Sequence, residues 1–187
     1  MLNIKYFWGI IMNKRKIILF FAVFMVAISS VGMVSAGWFD NNVEADTFKF
    51  AGIDGYSVGD ANIENGVQLV SDDSSLLDTI TVRQVEQAEY EAIVSSESPA
   101  SLFVDMNVTE YKNGEEVSSG AASFDVLKEY DENGVKVVVE EFLINSIYAT
   151  GTFEKDGSYY CVEIMGSGSA DDYIQIVKDI HDSLEKI

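Results

Sequence analysis

Beyond residue 46 the chain alternates apolar and polar positions in short runs, the two-residue period of strands with one buried face. In "TITVRQV" (79–85), Ile80 and Val82 fall on one face. "SLFVDMNVTEY" (101–111) predicts a strand with Val104, Met106 and Val108 inward and Asp105, Asn107 and Thr109 outward. "VKVVVEEFLI" (135–144) and "SYYCVEIM" (158–165) hold the β-branched and aromatic residues that pleated sheets accommodate. Between such runs recur Asp54-Gly55, Asn65-Gly66, Asn113-Gly114, Asn133-Gly134 and Asp156-Gly157. These dipeptides tolerate positive φ and predict tight hairpin turns.

The period changes in "SADDYIQIVKDIHDSLEKI" (169–187), where Tyr173, Ile176, Val177, Ile180, Leu184 and Ile187 recur at three- and four-residue spacing. That is one apolar stripe on a helix, with Ser169 as N-cap and Asp171 and Asp172 at the positive end of its dipole. Residues 85–97 predict a shorter helix ended by Pro99. Residues 120–131 fit either state, with helix favoured by Ala122, Val126, Leu127 and Tyr130. The expected fold is therefore α+β: a mostly antiparallel sheet of about six strands, a C-terminal amphipathic helix packed on it, and one or two short helices. Residues 37–46 read as a polar lead-in, and no repeat or interior linker divides 47–187, which predicts a single domain.

"FKFAGIDGY" (48–56), "INSIYATGTFEKDGSYYCVEI" (144–164) and the closing helix over 171–187 are similar to segments of the Mog1/PsbP-like group of small α+β domains. Phe50, Gly55 and Tyr56 stand in the opening turn of that group, and Ile53 stands where its proline falls. The resemblance implies a non-enzymatic binding or assembly module with no catalytic residues to carry over.

The N-terminus adds a destination. Lys14-Arg15-Lys16 precedes "IILFFAVFMVAI", and Val34-Ser35-Ala36 supplies small residues where a signal peptidase reads. This predicts a signal peptide over 1–36 cleaved after Ala36, with Met12 as an alternative start. Residues 17–34 carry no charge, so an uncleaved membrane anchor is the competing reading. Either places residues 37–187 outside the cytoplasm, extracellular or on the outer face of the cytoplasmic membrane.

Charge then narrows the partners. Beyond residue 36 stand 31 acids against eight bases, a net charge of −23. Such a surface repels phosphate, so nucleic acid is excluded, and contact with a membrane is expected only through an uncleaved leader. Basic proteins, glycans or cations remain. Calcium is the hard cation such carboxylates would take, with "SDDSSLLD" (71–78) the densest ligand source, although "DENGVKVVVEE" lacks the helix-loop-helix calcium pattern.

Candidate chemistry is sparse. Gly55-Tyr56-Ser57-Val58-Gly59 spells G-x-S-x-G, but "DANIENG" after it has no helical stripe, so Ser57 reads as a loop serine. A hydrolase would need Ser57 and His181, the single histidine, expected on the polar side of the last helix beside Asp182. One histidine and one cysteine make no zinc set, and Cys161 should face away from Tyr160 and Val162 as a buried thiol. No catalytic, cofactor-binding or metal residue is predicted. Of the paired acids, Glu140-Glu141 is the informative one: on a strand the two point to opposite faces, so one must lean inward unless a bulge intervenes. Asn107-Val108-Thr109 is an N-glycosylation sequon. Together these features predict an exported, non-catalytic binding or assembly module of the cell surface or envelope. The alternatives are a divalent-cation-dependent envelope or adhesion protein and a small hydrolase using Ser57 and His181.

Overall fold

The computed structural model describes residues 16–18, 42–73, 78–104, 107–112, 115–121, 123–143 and 146–187. The predicted cleavage point after Ala36 and most of the predicted leader lie outside the described residues. In chain order the elements are β1 (Lys16–Ile18), β2 (Asn42–Glu44), β3 (Phe48–Ala51), β4 (Tyr56–Val58), β5 (Gly66–Ser71) and β6 (Thr79–Val85). Helix α1 (Gln87–Ser95) and a 3₁₀ turn (Pro99–Leu102) follow, then β7 (Asn107–Lys112), β8 (Glu115–Ala121), β9 (Asp125–Glu132), β10 (Val135–Leu143), β11 (Ser146–Lys155) and β12 (Ser158–Gly166). Helix α2 (Ala170–Ser183) and β13 (Glu185–Lys186) close the chain.

These elements fall into two compact units. In one, β1, β7 and β8 form an antiparallel three-stranded sheet in the order β1-β7-β8. The other holds a seven-stranded antiparallel sheet in the order β4-β5-β6-β12-β11-β10-β9, with a small sheet β13-β3-β2 and both helices.

Two turns show why the larger sheet forms. Asn133-Gly134 and Asp156-Gly157 all adopt positive φ, the mirror-image turn whose twist matches antiparallel strands, and they join β9 to β10 and β11 to β12. Asn65 and Gly55 also have positive φ, but Gly55 leads from one sheet to another and makes no hairpin. Asn113-Gly114 lies outside the described residues.

One face of this sheet is dry. Val67, Leu69, Ile80, Val82, Val135, Val137, Val139, Ala149, Phe153, Tyr160, Val162 and Ile164 are buried beneath α2 and the small sheet. Helix α2 contributes Tyr173, Ile174, Val177 and Ile180, and Ser169 caps it by accepting a hydrogen bond from the Asp172 N–H at 3.2 Å. It crosses β11 closely at Gly151, where a Cβ would lie 2.5 Å from Val177 Cγ1. Phe48 and Phe50 of β3 seal the end of this core, with Phe48 edge-on to Tyr160 at 5.4 Å between centroids.

Four local expectations need correction. Residues 125–132 form β9, a strand, because pairing with β10 across Asn133-Gly134 outweighs the weak helical spacing. Ser101 and Leu102 belong to the 3₁₀ turn that Pro99 opens, and the strand expected over 101–111 begins at Asn107. Helix α2 stops at Ser183; Glu185 and Lys186 pair with β3, and Ile187 is exposed. Ser57 sits in β4 paired with Val70 rather than in a loop.

Candidate functional site

The opposite face of the large sheet is built from the alternate residues of the same strands. Thr79, Thr81, Arg83 and Val85 of β6 stand beside Met165, Glu163, Cys161 and Tyr159 of β12. Thr150 and Thr152 of β11 and Val138 and Glu140 of β10 extend it, all buried. Among the described residues this face is covered by α1 and the 3₁₀ turn, a strap that packs Ile93 over Val85 and Cys161 with Tyr90, Phe103 and Tyr159 alongside and that buries Pro99 and Ala100 in its turn.

Polar anchors add to this packing. Arg83 reaches up from β6 and forks between Glu163 at 2.9 Å and Glu89 of α1 at 2.7 Å, while its guanidinium lies over the Phe103 ring at 5.3 Å. Lys136 Nζ donates to the Val94 carbonyl at 2.6 Å, satisfying a free acceptor in the last turn of α1. Glu140 is the inward member of the acid pair, wholly buried, and Glu141 is half-buried. It accepts from Ser98 Oγ at 2.5 Å and from the Ala100 N–H at 2.9 Å, a donor otherwise unpaired at the start of the 3₁₀ turn. A buried carboxylate without such donors would cost several kcal/mol. The β9–β10 register shifts between Val139 and Glu140, so the bulge and the inward carboxylate coincide.

Where the strap ends, a pocket of about 220 Å³ opens between Phe103 and Val104 on one side and Thr79, Thr81, Tyr148, Glu163 and Met165 beneath. Both Glu163 oxygens are engaged, Oε1 by Arg83 and Oε2 by the Tyr148 hydroxyl at 2.6 Å. Burial, reinforced by the adjacent Glu163 charge, pushes the Tyr148 phenol far above its ordinary range. Burial alone would lower the Arg83 pKa, but the hydrogen bond and charge of Glu163 raise it above its usual value. The pocket floor is thus the Tyr148 phenol, the Glu163 carboxyl group and the Arg83 guanidinium bound to one another. It offers the Thr79 and Thr81 hydroxyls beside Phe103, Val104 and Met165 as contacts for a ligand.

The residues singled out from sequence lie elsewhere. Ser57 is exposed, and its hydroxyl hydrogen-bonds the Asp72 carboxylate. His181 lies near the end of α2, its Nδ1 2.9 Å from Asp182 Oδ1 and its ring edge-on to Phe153 at 5.0 Å. No hydrogen bond joins Ser57 to His181 among the described residues. Cys161 is buried and faces away from Tyr160 and Val162 as expected, onto the strap, and burial, aided by the Glu163 charge, pushes its thiol well above the ordinary range. Of the 71–78 stretch, Ser74 to Leu77 lie outside the described residues; Asp78 is buried and accepts from the Ser167 N–H at 3.1 Å. Among the described residues no three His, Cys, Asp or Glu side chains cluster to hold a metal ion. The Asn107 side chain lies outside those described, and with it the outward orientation expected for the sequon.

Arg83, Glu163 and Tyr148 were not singled out from sequence. For Arg83 and Glu163 the signal is a lone charge of opposite sign in each of two otherwise uncharged strands, "TITVRQV" and "SYYCVEIM".

Among the described residues no helix is long and apolar enough to cross a membrane. No family model matches the chain, and no curated protein matches it. Among solved structures it is similar to the solution structure of cyanobacterial PsbP (CyanoP) from Synechocystis sp. PCC 6803. Sequence identity is 10% and the TM-score 0.43, over 86% of this chain and 99% of that one; the likeness is one of fold.

Proposed function

We propose that this chain is an exported, non-catalytic α+β module that binds a partner at the cell surface or in the envelope. The observation that carries the reading is the commitment of its polar groups. Arg83, Glu163, Tyr148 and Glu140, the side chains best placed for chemistry, are bonded to one another or to the strap they hold. What the fold leaves uncommitted is surface: the shallow pocket beside Phe103 and the outer strands of the large sheet. The basic leader and the strongly acidic remainder fit export.

The test combines fractionation with crosslinking. The full chain is expressed with a photo-crosslinking residue at Leu127, Thr79 or Leu102, cells are fractionated, and the N-terminus of the recovered protein is read by mass spectrometry. A chain beginning at Gly37 outside the cytoplasm, with a discrete protein or glycan adduct from one position, is the expected result. Retention in the cytoplasm without adducts overturns the reading, as does any substrate turnover that maps to this domain. A serine-reactive phosphonate should leave Ser57 unlabelled; labelling that depends on His181 would install the hydrolase alternative instead.

A further inference from the structure

We infer that β9 is a docking edge, and that its occupant is an extended basic segment of a partner protein added as a further strand of the large sheet. This rests on the reading of the chain as a binding module and names the surface and the chemistry of the partner.

The two edges of the sheet are unlike. At one end, β4 has three residues, a length that offers little template. At the other, β9 has eight residues, and no described strand pairs with its outer side. Alternate backbone N–H and C=O groups of such a strand point outward, a ready ladder for another chain. Edge strands usually block that ladder with shortness, proline, a bulge or charged side chains, lysine above all. β9 has no proline, and its single lysine, Lys128, is turned onto Asp171 of α2. What remains is Asp125, Glu129, Asp131 and Glu132, none of them ion-paired among the described residues. Beside these acids Val126 and Leu127 are 43% and 49% exposed. The register skips Leu127 between Lys128, opposite Val139, and Val126, opposite Glu140, so the bulge sets two neighbouring apolar side chains in solvent.

This combination selects its occupant. A second copy of the same strand would bring four more carboxylates to an edge that already holds four, with its one lysine held by Asp171, and like charges across strands are destabilising. A segment alternating basic and apolar residues satisfies the ladder, the charge and the apolar step together.

The experiment uses the full chain and three short synthetic peptides: alternating lysine and valine, the same peptide with alternate backbone amides N-methylated, and alternating glutamate and valine. Affinity is measured together with amide hydrogen exchange across 123–132. The lysine–valine peptide should bind and slow exchange within Asp125–Glu132. The N-methylated form should bind at least ~10-fold more weakly, since it keeps the charge and loses the ladder. The glutamate–valine peptide should not bind. Reversing Glu129 and Asp131 together (Glu129→Lys, Asp131→Lys) should exchange the preferences of the two unmethylated peptides, with circular dichroism confirming that the fold is retained. Equal binding of the methylated and unmethylated lysine peptides overturns the inference in favour of charge adsorption. Binding without protection at β9, or no binding at all, overturns it too. The broader module reading then stands or falls separately, on adducts formed away from β9 at Thr79 or Leu102.

Discussion

The two helices of the larger unit attach to opposite faces of one sheet by different physics. Helix α2 buries Tyr173, Ile174, Val177 and Ile180 into a dry core against valines, Phe153 and Tyr160. Helix α1 buries Ile93 and the 3₁₀ turn behind it buries Pro99 and Ala100, and both are fastened by Arg83, Lys136 and Glu140. Apolar burial is non-directional and shared by many atoms, so losing part of it weakens the whole domain. Hydrogen bonds to buried charges are directional and few, so losing one should loosen the strap locally while the sheet persists. The difference separates what holds the fold from what shapes the pocket.

The sharpest way to break that contrast is to cut into each face in turn. Phe153→Ala removes a ring that is fully buried between Tyr160 and His181, and about 3–5 kcal/mol of global stability should go with it in denaturant unfolding. Glu140→Ala leaves the Ser98 hydroxyl and the Ala100 N–H without their acceptor, at a cost of about 1–3 kcal/mol. Here hydrogen exchange should rise first over 96–104, before α2 is affected; uniform loss across the domain would erase the distinction between the faces.

Alkali probes the dry side more gently. Burial, opposed by the Gly168 N–H it accepts and aided by the Asp78 charge, pushes the Tyr173 pKa up to about 12. The folded form therefore holds a proton that the unfolded chain releases from about pH 10. Stability from this group is complete below about pH 10 and falls as pH rises through about 12. Tyr173→Phe should lower stability near neutrality and flatten that decline, as measured by unfolding midpoints across the alkaline range. An unchanged slope would mean that Tyr173 does not set it. The smallest effect belongs to the rim: Lys128→Ala breaks an exposed ion pair with Asp171 and should change stability by less than about 1 kcal/mol.

Much of this architecture was legible in the residues. The hairpin turn at Asn133-Gly134, the stripe and cap of α2, the opposed faces of Cys161 and Tyr160, and an inward acid at Glu140-Glu141 all follow from local periods and propensities. What failed depends on distant pairing. Val126 and Leu127 sit adjacent and apolar because of a bulge, and from sequence that doublet mimics a helical face. Pro99 marks the end of a helix and equally the first position of the next turn, since its fixed φ suits both. The polar anchors were harder still: Arg83 and Glu163 are 80 residues apart, and only the β6–β12 pairing makes them neighbours.

The lone cysteine turns the strap into something that can be timed. Cys161 is the one thiol in the chain and lies wholly beneath Ile93 and its neighbours. Because the thiolate is the reactive species, a reagent can reach it only when α1 lifts and water enters. The labelling rate in native buffer is therefore a clock for that opening, independent of global unfolding whenever the two rates differ. A ligand that seats beside Phe103 would slow the clock before its identity is known.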